Sequence, residues 1–171
     1  MQRLHLLIVA GLLFIAPPAW ADGPFVRWER IEGVLGADVT PLAVGDIGSS
    51  TRWRTTGSGQ ALINPSTRFA FFTIRGLSWT RHYPNAPLGS PASGSVMGTF
   101  VCDSTGRHGP AIPVDTQVIE MTQGSGIFWG FVDVPEGCRE RPEETVFLLR
   151  HANPGPLYGL IVAYGSGRTI R

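Results

Sequence analysis

The stretch Phe69-Ala70-Phe71-Phe72-Thr73-Ile74 decides the fold class of this chain. Its residues are aromatic, β-branched or small, the types that fit a pleated sheet. In an extended strand the odd-numbered residues point to one side and the even-numbered ones to the other. Both sets are largely apolar, which predicts a strand that is covered on both faces near the middle of a sheet.

The same alternation recurs on either side of this stretch, because turn formers interrupt the chain at short intervals. The sequence holds 22 Gly and 14 Pro among its 171 residues, and no apolar run keeps a helical period over ten residues. The spacing predicts an antiparallel β-sandwich of eight or nine short strands, with at most a short helical turn near 137–144. The predicted strands are 25–36, 41–47, 59–64, 67–77, 95–102, 111–121, 126–134, 144–151 and 157–165.

The pattern within each run predicts where its strand lies. Polar residues interrupt 25–36, which suits an edge or a half-exposed strand and predicts a peripheral position. The runs 146–149 and 160–163 are continuously apolar and predict the centre of the core. Three Ser-Gly clusters, at 57–59, 124–126 and 165–167, are typical of turns.

The chain begins like an exported precursor. A short start with one cation, Arg3, precedes the apolar run 6–16 and the small-residue site Ala19-Trp20-Ala21. This pattern predicts a signal peptide over residues 1–21 and cleavage before Asp22, with a retained anchor as the alternative. The remaining residues, 22–171, are enough for a single domain. We therefore expect a periplasmic or extracellular protein without a membrane span after signal removal.

Charge excludes several functions. The chain has no Lys, which excludes Schiff-base chemistry, and its 14 cations are all Arg. Removal of Arg3 leaves 13 Arg against the 13 acids, a formal charge of zero. Neutrality argues against nucleic-acid partners and anionic membrane surfaces.

Cys102 and Cys138 are the only cysteines, and export would place them where disulfides persist. They predict one bridge, worth about 3.5 kcal/mol on the chain-entropy model. A redox or metal pair is the alternative, although the C-x-x-C spacing is missing.

Candidate chemistry is sparse. His82, His108 and His151 could converge on a zinc ion, but they share no short ligand spacing. No G-x-S-x-G motif occurs, so an envelope hydrolase would have to use His82 or His108 with Asp103 or Asp115. We predict no catalytic residue, no metal and no cofactor.

Aromatic residues are more suggestive. Trp28, Trp53, Trp79 and Trp129 remain after signal removal, and most are expected in the core. Trp79 and Tyr83 flank Arg81 and His82 at the start of a Pro- and Gly-rich stretch, 83–98, which predicts a long surface loop. These four residues, Trp79, Arg81, His82 and Tyr83, form the predicted binding surface.

Two stretches resemble known proteins. Residues 57–61 leading into 69–77 resemble the repeat of chordin-type (CHRD) domains, which are extracellular β-domains. The chain lacks the Ala-His-Ile-His stretch of those domains, so the resemblance implies no metal or partner role. The segment 96–102, with the later Cys138, is similar to small exported bacterial β-proteins of unknown function.

The leading functional hypothesis is therefore an exported, non-catalytic module that binds another protein, a glycan or itself, or that has a structural role. A small hydrolase or a metal-binding protein of the cell envelope is the alternative. The sequence leaves the oligomeric state open.

Overall fold

A computed structural model describes residues 23–34, 44, 47, 53–55, 59–79, 87, 89–155 and 158–171. The predicted signal peptide and most of the predicted strand 41–47 lie outside the described residues. Antiparallel β-strands form most of the described chain, as predicted. The strands are β1 (Val26–Gly33), β2 (Trp53–Thr55), β3 (Gln60–Asn64), β4 (Phe69–Ile74), β5 (Leu77–Trp79), β6 (Gly94–Cys102), β7 (Ile112–Asp115), β8 (Ile119–Met121), β9 (Gly126–Phe131), β10 (Val146–His151) and β11 (Ile161–Ile170).

Among the described residues, helical structure occurs in one place, and it is where the sequence predicted it. Helix α1 (Glu136–Glu140) and the 3-10 turn Pro142–Glu144 precede β10. No helix among the described residues is long and apolar enough to cross a membrane.

Nine strands form one antiparallel sheet in the order β7-β6-β10-β11-β1-β3-β4-β9, with β8 also paired to β6. Strands β2 and β5 form a separate two-stranded ladder. The order brings the first and last strands of the chain together, since β1 pairs with β11 from Val26 opposite Ile170 to Gly33 opposite Ala163.

The sheet curls over on itself. Four strand steps separate β4 from β10, which would place them about 19 Å apart in a flat sheet. The rings of Phe72 on β4 and Phe147 on β10 nevertheless lie 5.5 Å apart between centroids. Trp28 on β1 likewise lies 5.8 Å from Phe100 on β6. Two halves of one curled sheet thus face each other across a common core, where the sequence predicted the two sheets of a sandwich.

Aromatic rings fill this core. Trp28, Phe72, Phe100 and Phe147 are its largest buried side chains. A smaller apolar cluster covers the outer side of β10 and β11 and contains Val34, Val101, Leu148 and Ile161. The predicted apolar runs 146–149 and 160–163 are therefore covered on both faces, as expected.

The prediction that 25–36 is peripheral is wrong. Strand β1 lies between β11 and β3 inside the sheet. Its Arg27, Glu29 and Arg30 lie away from the core and are half-buried or exposed, so the polar pattern reflects an outer face open to solvent.

One turn prediction and one strand prediction also need correction. The cluster at 165–167 is part of β11, because Gly165 lets the Trp28 ring pack directly on the strand: a Cβ there would lie 2.6 Å from Trp28 Cγ. The predicted strand 111–121 divides into β7 and β8. The predicted strand breaks at Thr116. The backbone N–H of Thr116 donates to the carbonyl of Gly98, and its hydroxyl donates to the carbonyl of Gln117.

The predicted disulfide is present. Cys102 at the end of β6 and Cys138 in α1 are bridged, with 5.1 Å between their Cα atoms. Both residues are buried in the main core, so the bridge attaches the helical segment to the sheet.

Candidate functional site

The most exposed apolar surface of the described chain is the outer side of β4 and β9. Ile127, Trp129 and Phe131 of β9 are 59%, 74% and 70% exposed. We use the name β4–β9 face for these three residues together with the half-buried Leu62, Phe69 and Phe71. Isolated exposed apolar residues are normal on a protein surface, but a contiguous group is a mark of binding sites.

Strand register brings these side chains together. Phe69 lies opposite Phe131, and Phe71 lies opposite Trp129. Leu62 on β3 lies opposite Phe71 on its other side. The alternate residues of the same strands, such as Phe72 and Phe128, point into the core and stack on each other at 5.6 Å. Period-2 alternation therefore requires the second apolar set to be on the outside.

Two rings of the face contact each other. Phe69 and Phe131 meet edge to face, with 6.1 Å between their centroids. At this end the surface is bounded by an ion pair between Arg68 and Asp133, whose charged atoms are 3.9 Å apart. Both partners are largely exposed, so the pair marks the polar boundary of the face and adds little stability.

Polar side chains bound the other end. Thr73 follows Phe71 on the outer side of β4 and lies opposite Ile127. Thr73 and Arg75 line two open depressions there, of about 270 Å³ and 350 Å³. Glu29 and Gln60 complete the first of them, and the Gln60 side-chain oxygen accepts a hydrogen bond from Arg27 at 3.2 Å. Apolar rings and hydrogen-bonding groups thus lie side by side.

Three of the four residues of the predicted binding surface, Arg81, His82 and Tyr83, lie outside the described residues. The backbone of Trp79 ends β5 and pairs with Trp53. Of the other aromatics, Trp28 is in the core as expected, whereas Trp129 is not.

The two described histidines do not converge. His108 follows β6 near Cys102, whereas His151 ends β10 opposite Val96, at the other end of β6. His151 is buried, and this burial lowers the pKa of its imidazole. Among the described residues, no group of three His, Cys, Asp or Glu side chains is placed to hold a metal ion. His82 lies outside this region.

The acids named with the histidines have structural contacts. The Asp103 carboxylate accepts the backbone N–H of His108 at 3.1 Å, while the His108 imidazole lies 3.5 Å from Glu144. Asp115 binds Arg150 at 2.7 Å and accepts from the Thr99 hydroxyl at the same distance. Each carboxylate thus closes a loop or joins strands.

A further polar cluster joins β1 to β11 on the outer side of the sheet. The Ser166 and Tyr164 hydroxyls both donate to the Glu32 carboxylate. The bond from Ser166 is the main reason that the pKa of Glu32 is lowered. Burial, with the neighbouring Glu32 charge, raises the pKa of Tyr164. The ionised Glu32 carboxylate accepts both hydrogen bonds and thereby connects the paired strands β1 and β11.

Sequence reasoning missed the β4–β9 face although its signal was present. Residues 127–131 are apolar on both sides of the strand, like 69–74. We interpreted the pattern of 69–74 as cover on both faces and expected Trp129, like most of the tryptophans, in the core. The structure buries one side of each strand and leaves the other side half-buried on β4 and exposed on β9.

Comparison with known proteins yields no match from any family model, curated protein or solved structure. The fold and the exposed residues themselves define the class of protein: an all-β, antiparallel, disulfide-bridged chain with an aromatic surface.

Proposed function

We propose that this protein is an exported, non-catalytic binding module that holds a polysaccharide chain on its β4–β9 face. The observation that carries the proposal is the exposure of Trp129 and Phe131 in register with Phe71 and Phe69. Export is supported by the signal-peptide pattern and by the disulfide, since disulfides persist in oxidising compartments.

A sugar ring suits this surface chemically. The C–H groups on one side of a pyranose pack on the electron-rich face of an aromatic ring. Its hydroxyl groups project from the edge and need hydrogen-bonding partners. Gln60, Thr73 and Arg75 supply such partners next to the rings, and a few polar groups beside apolar ones are the usual composition of ligand sites.

The length of the face favours a chain of sugars. Phe131, Trp129 and Ile127 follow one another along one side of β9, about 6.8 Å apart. The two rings of this row, Phe131 and Trp129, can contact different sugar units of one chain, and Ile127 extends the apolar surface beside them. The open shape of the neighbouring depressions also lets a long chain pass across the surface.

The test is retention of the purified protein on insoluble peptidoglycan, chitin and cellulose, followed by titration with soluble fragments of whichever polysaccharide retains it. Trp129→Ala should weaken binding by about 2 kcal/mol, roughly thirtyfold, as expected for a central aromatic contact. Trp129→Phe keeps a stacking ring and should lose much less.

Tyr158→Ala is the matched control, because Tyr158 is likewise an exposed aromatic residue, 59% exposed against 74% for Trp129, and is not part of the face. It should bind like the unmodified protein. Failure of all three polysaccharides to retain the protein contradicts the proposal, as does equal loss in the Trp129→Ala and Tyr158→Ala variants.

A further inference from the structure

The second depression beside the β4–β9 face, of about 350 Å³, is rich in hydrogen-bond donors. Among the described residues that line it, Arg75 alone is charged, and Arg75 is exposed. Its other lining residues carry hydroxyl groups or are apolar: Thr73, Ile74, Thr122, Ser125, Gly126 and Ile127. A guanidinium and hydroxyl groups all donate hydrogen bonds. We use the name Arg75 depression for this site.

The donors of the Arg75 depression have no partner within the part of the chain that the structure describes. Four other arginines lie within 4 Å of a carboxylate, namely Arg30, Arg68, Arg141 and Arg150. The Arg75 guanidinium has no such neighbour among the described residues, and the hydroxyls of Thr73, Thr122 and Ser125 make no hydrogen bond to them. These groups can therefore bind a ligand without first breaking an internal contact.

The first depression has a different lining, because it includes the Glu29 carboxylate. That carboxylate can accept hydrogen bonds from the hydroxyl groups of a sugar. The side-chain oxygen of Gln60 already accepts from Arg27, so the Gln60 amide is left to donate. The first depression therefore suits uncharged sugar hydroxyls, which both donate and accept. The Arg75 depression, with no acid among its described residues, favours a group that only accepts, and an ionised carboxylate is such a group.

The Arg75 depression is continuous with the β4–β9 face. Ile127 belongs to both, so a sugar unit that packs over Ile127 brings its substituents next to the Arg75 guanidinium. A guanidinium binds a carboxylate through two parallel hydrogen bonds, a geometry that a neutral hydroxyl cannot match.

We infer that the polysaccharide held on the β4–β9 face carries carboxylate groups and that Arg75 binds one of them, an inference that rests on the proposed function. Among the three polysaccharides named above, peptidoglycan has this chemistry. Its sugars bear lactyl ether branches that end in carboxylates, either directly or through a short peptide. Chitin and cellulose are neutral. The Arg75 depression therefore selects peptidoglycan, and Arg75 determines the specificity.

The experiment compares two soluble ethers of chitin that share one backbone. Carboxymethyl chitin has a carboxylate on its ether branch, whereas glycol chitin has a neutral hydroxyethyl group in its place. Titration at low ionic strength should show that carboxymethyl chitin binds about tenfold more tightly, the effect of a charge-assisted hydrogen bond at an exposed site. Added sodium chloride should reduce this preference, because salt screens exposed charges.

Variants of Arg75 identify the residue responsible. Arg75→Gln should remove the preference, so that the two polymers bind alike. Arg75→Lys should keep part of it, because lysine retains the charge but not the planar fork. Arg107→Gln is the matched control, since Arg107 is an exposed arginine in the loop after β6 and lines neither depression. It should keep the full preference.

Three results overturn the inference: equal affinity for the two polymers, binding of neither polymer, or a preference that survives in Arg75→Gln. Retention of the protein on insoluble peptidoglycan should also exceed its retention on chitin. A preference for carboxymethyl chitin with no such excess keeps the carboxylate site and refutes peptidoglycan as its source.

The inference and the proposed function fail separately. If the two polymers bind alike and Trp129→Ala weakens both, the polysaccharide module stands and the carboxylate site fails. If Arg75→Gln removes the preference and Trp129→Ala changes neither affinity, the carboxylate site stands and the role of the β4–β9 face is refuted.

Discussion

At the scale of single residues, side chains that suggest chemistry in the sequence serve mainly as structure. Asp103 has a positive φ of 50° and is buried, and its carboxylate holds the loop that leads to His108. Arg150 is held between Asp115 and Thr99. Such contacts lie between residues far apart in sequence, so spacing along the chain does not reveal them.

We expect His151 to make the stability of the fold depend on pH. Burial lowers the pKa of its imidazole below the ordinary value of 6.5, so the unfolded chain binds a proton more readily than the folded one. Stability should therefore be full above about pH 6.5 and fall as the pH drops from there towards the lower, folded-state pKa. Urea unfolding between pH 7.5 and about pH 5 measures this slope.

His151→Gln should flatten the slope in that window, and His108→Gln is the matched control because His108 is half exposed. An unchanged slope in His151→Gln would show that another group causes the pH dependence.

At the scale of elements, the turn between β8 and β9 determines where the exposed strand begins. Thr122 and Ser125 bond to each other across it, and Gln123 and Gly124 have positive φ values of 52° and 70°. The carbonyl of Gly124 also accepts the backbone N–H of Leu77, and the backbone N–H of Gly124 donates to the carbonyl of Ala92. The turn is thereby attached to β5 and to the segment before β6.

Gly124→Ala should destabilise the protein by about 3 kcal/mol or more, because positive φ costs about 1–2 kcal/mol in an L-residue and overpacking adds about 1–3 kcal/mol. The added Cβ would overlap the Leu77 carbonyl oxygen. Gly159→Ala separates the two effects, since Gly159 has a φ of 79° but no atom within 4 Å of an added Cβ. Gly159→Ala should lose only the free energy that positive φ costs. Equal losses of unfolding free energy in Gly124→Ala and Gly159→Ala would contradict the steric explanation.

At the scale of the whole molecule, one curled sheet replaces two separate sheets, and the disulfide joins β6 to the only helix described. The bridged cysteines are 36 positions apart in sequence, so the bridge substantially lowers the conformational entropy of the unfolded chain. Because both cysteines are buried, the bridge should be stable against reductants until the sheet opens.

Replacing both cysteines, Cys102→Ala with Cys138→Ala, should lower the free energy of unfolding by roughly 2–4 kcal/mol. Urea unfolding with and without reductant measures it. The reductant should destabilise the unmodified protein by a similar amount and leave the double variant unchanged. A double variant as stable as the oxidised protein would show that packing alone holds α1.

The sequence by itself determined the all-β class, the helical turn, the disulfide and most of the strands within a few residues, although it missed the short strands β2 and β5. These follow from alternation, turn residues and cysteine count, which are local properties. Only the tertiary structure decided that β1 lies inside the sheet, that β11 continues through Gly165, and that β9 is last and exposes Trp129. A strand with two apolar sides has the same sequence whether one side or both are covered. Which side is covered depends on the pairing of distant strands, and alternation within one strand contains no information about it.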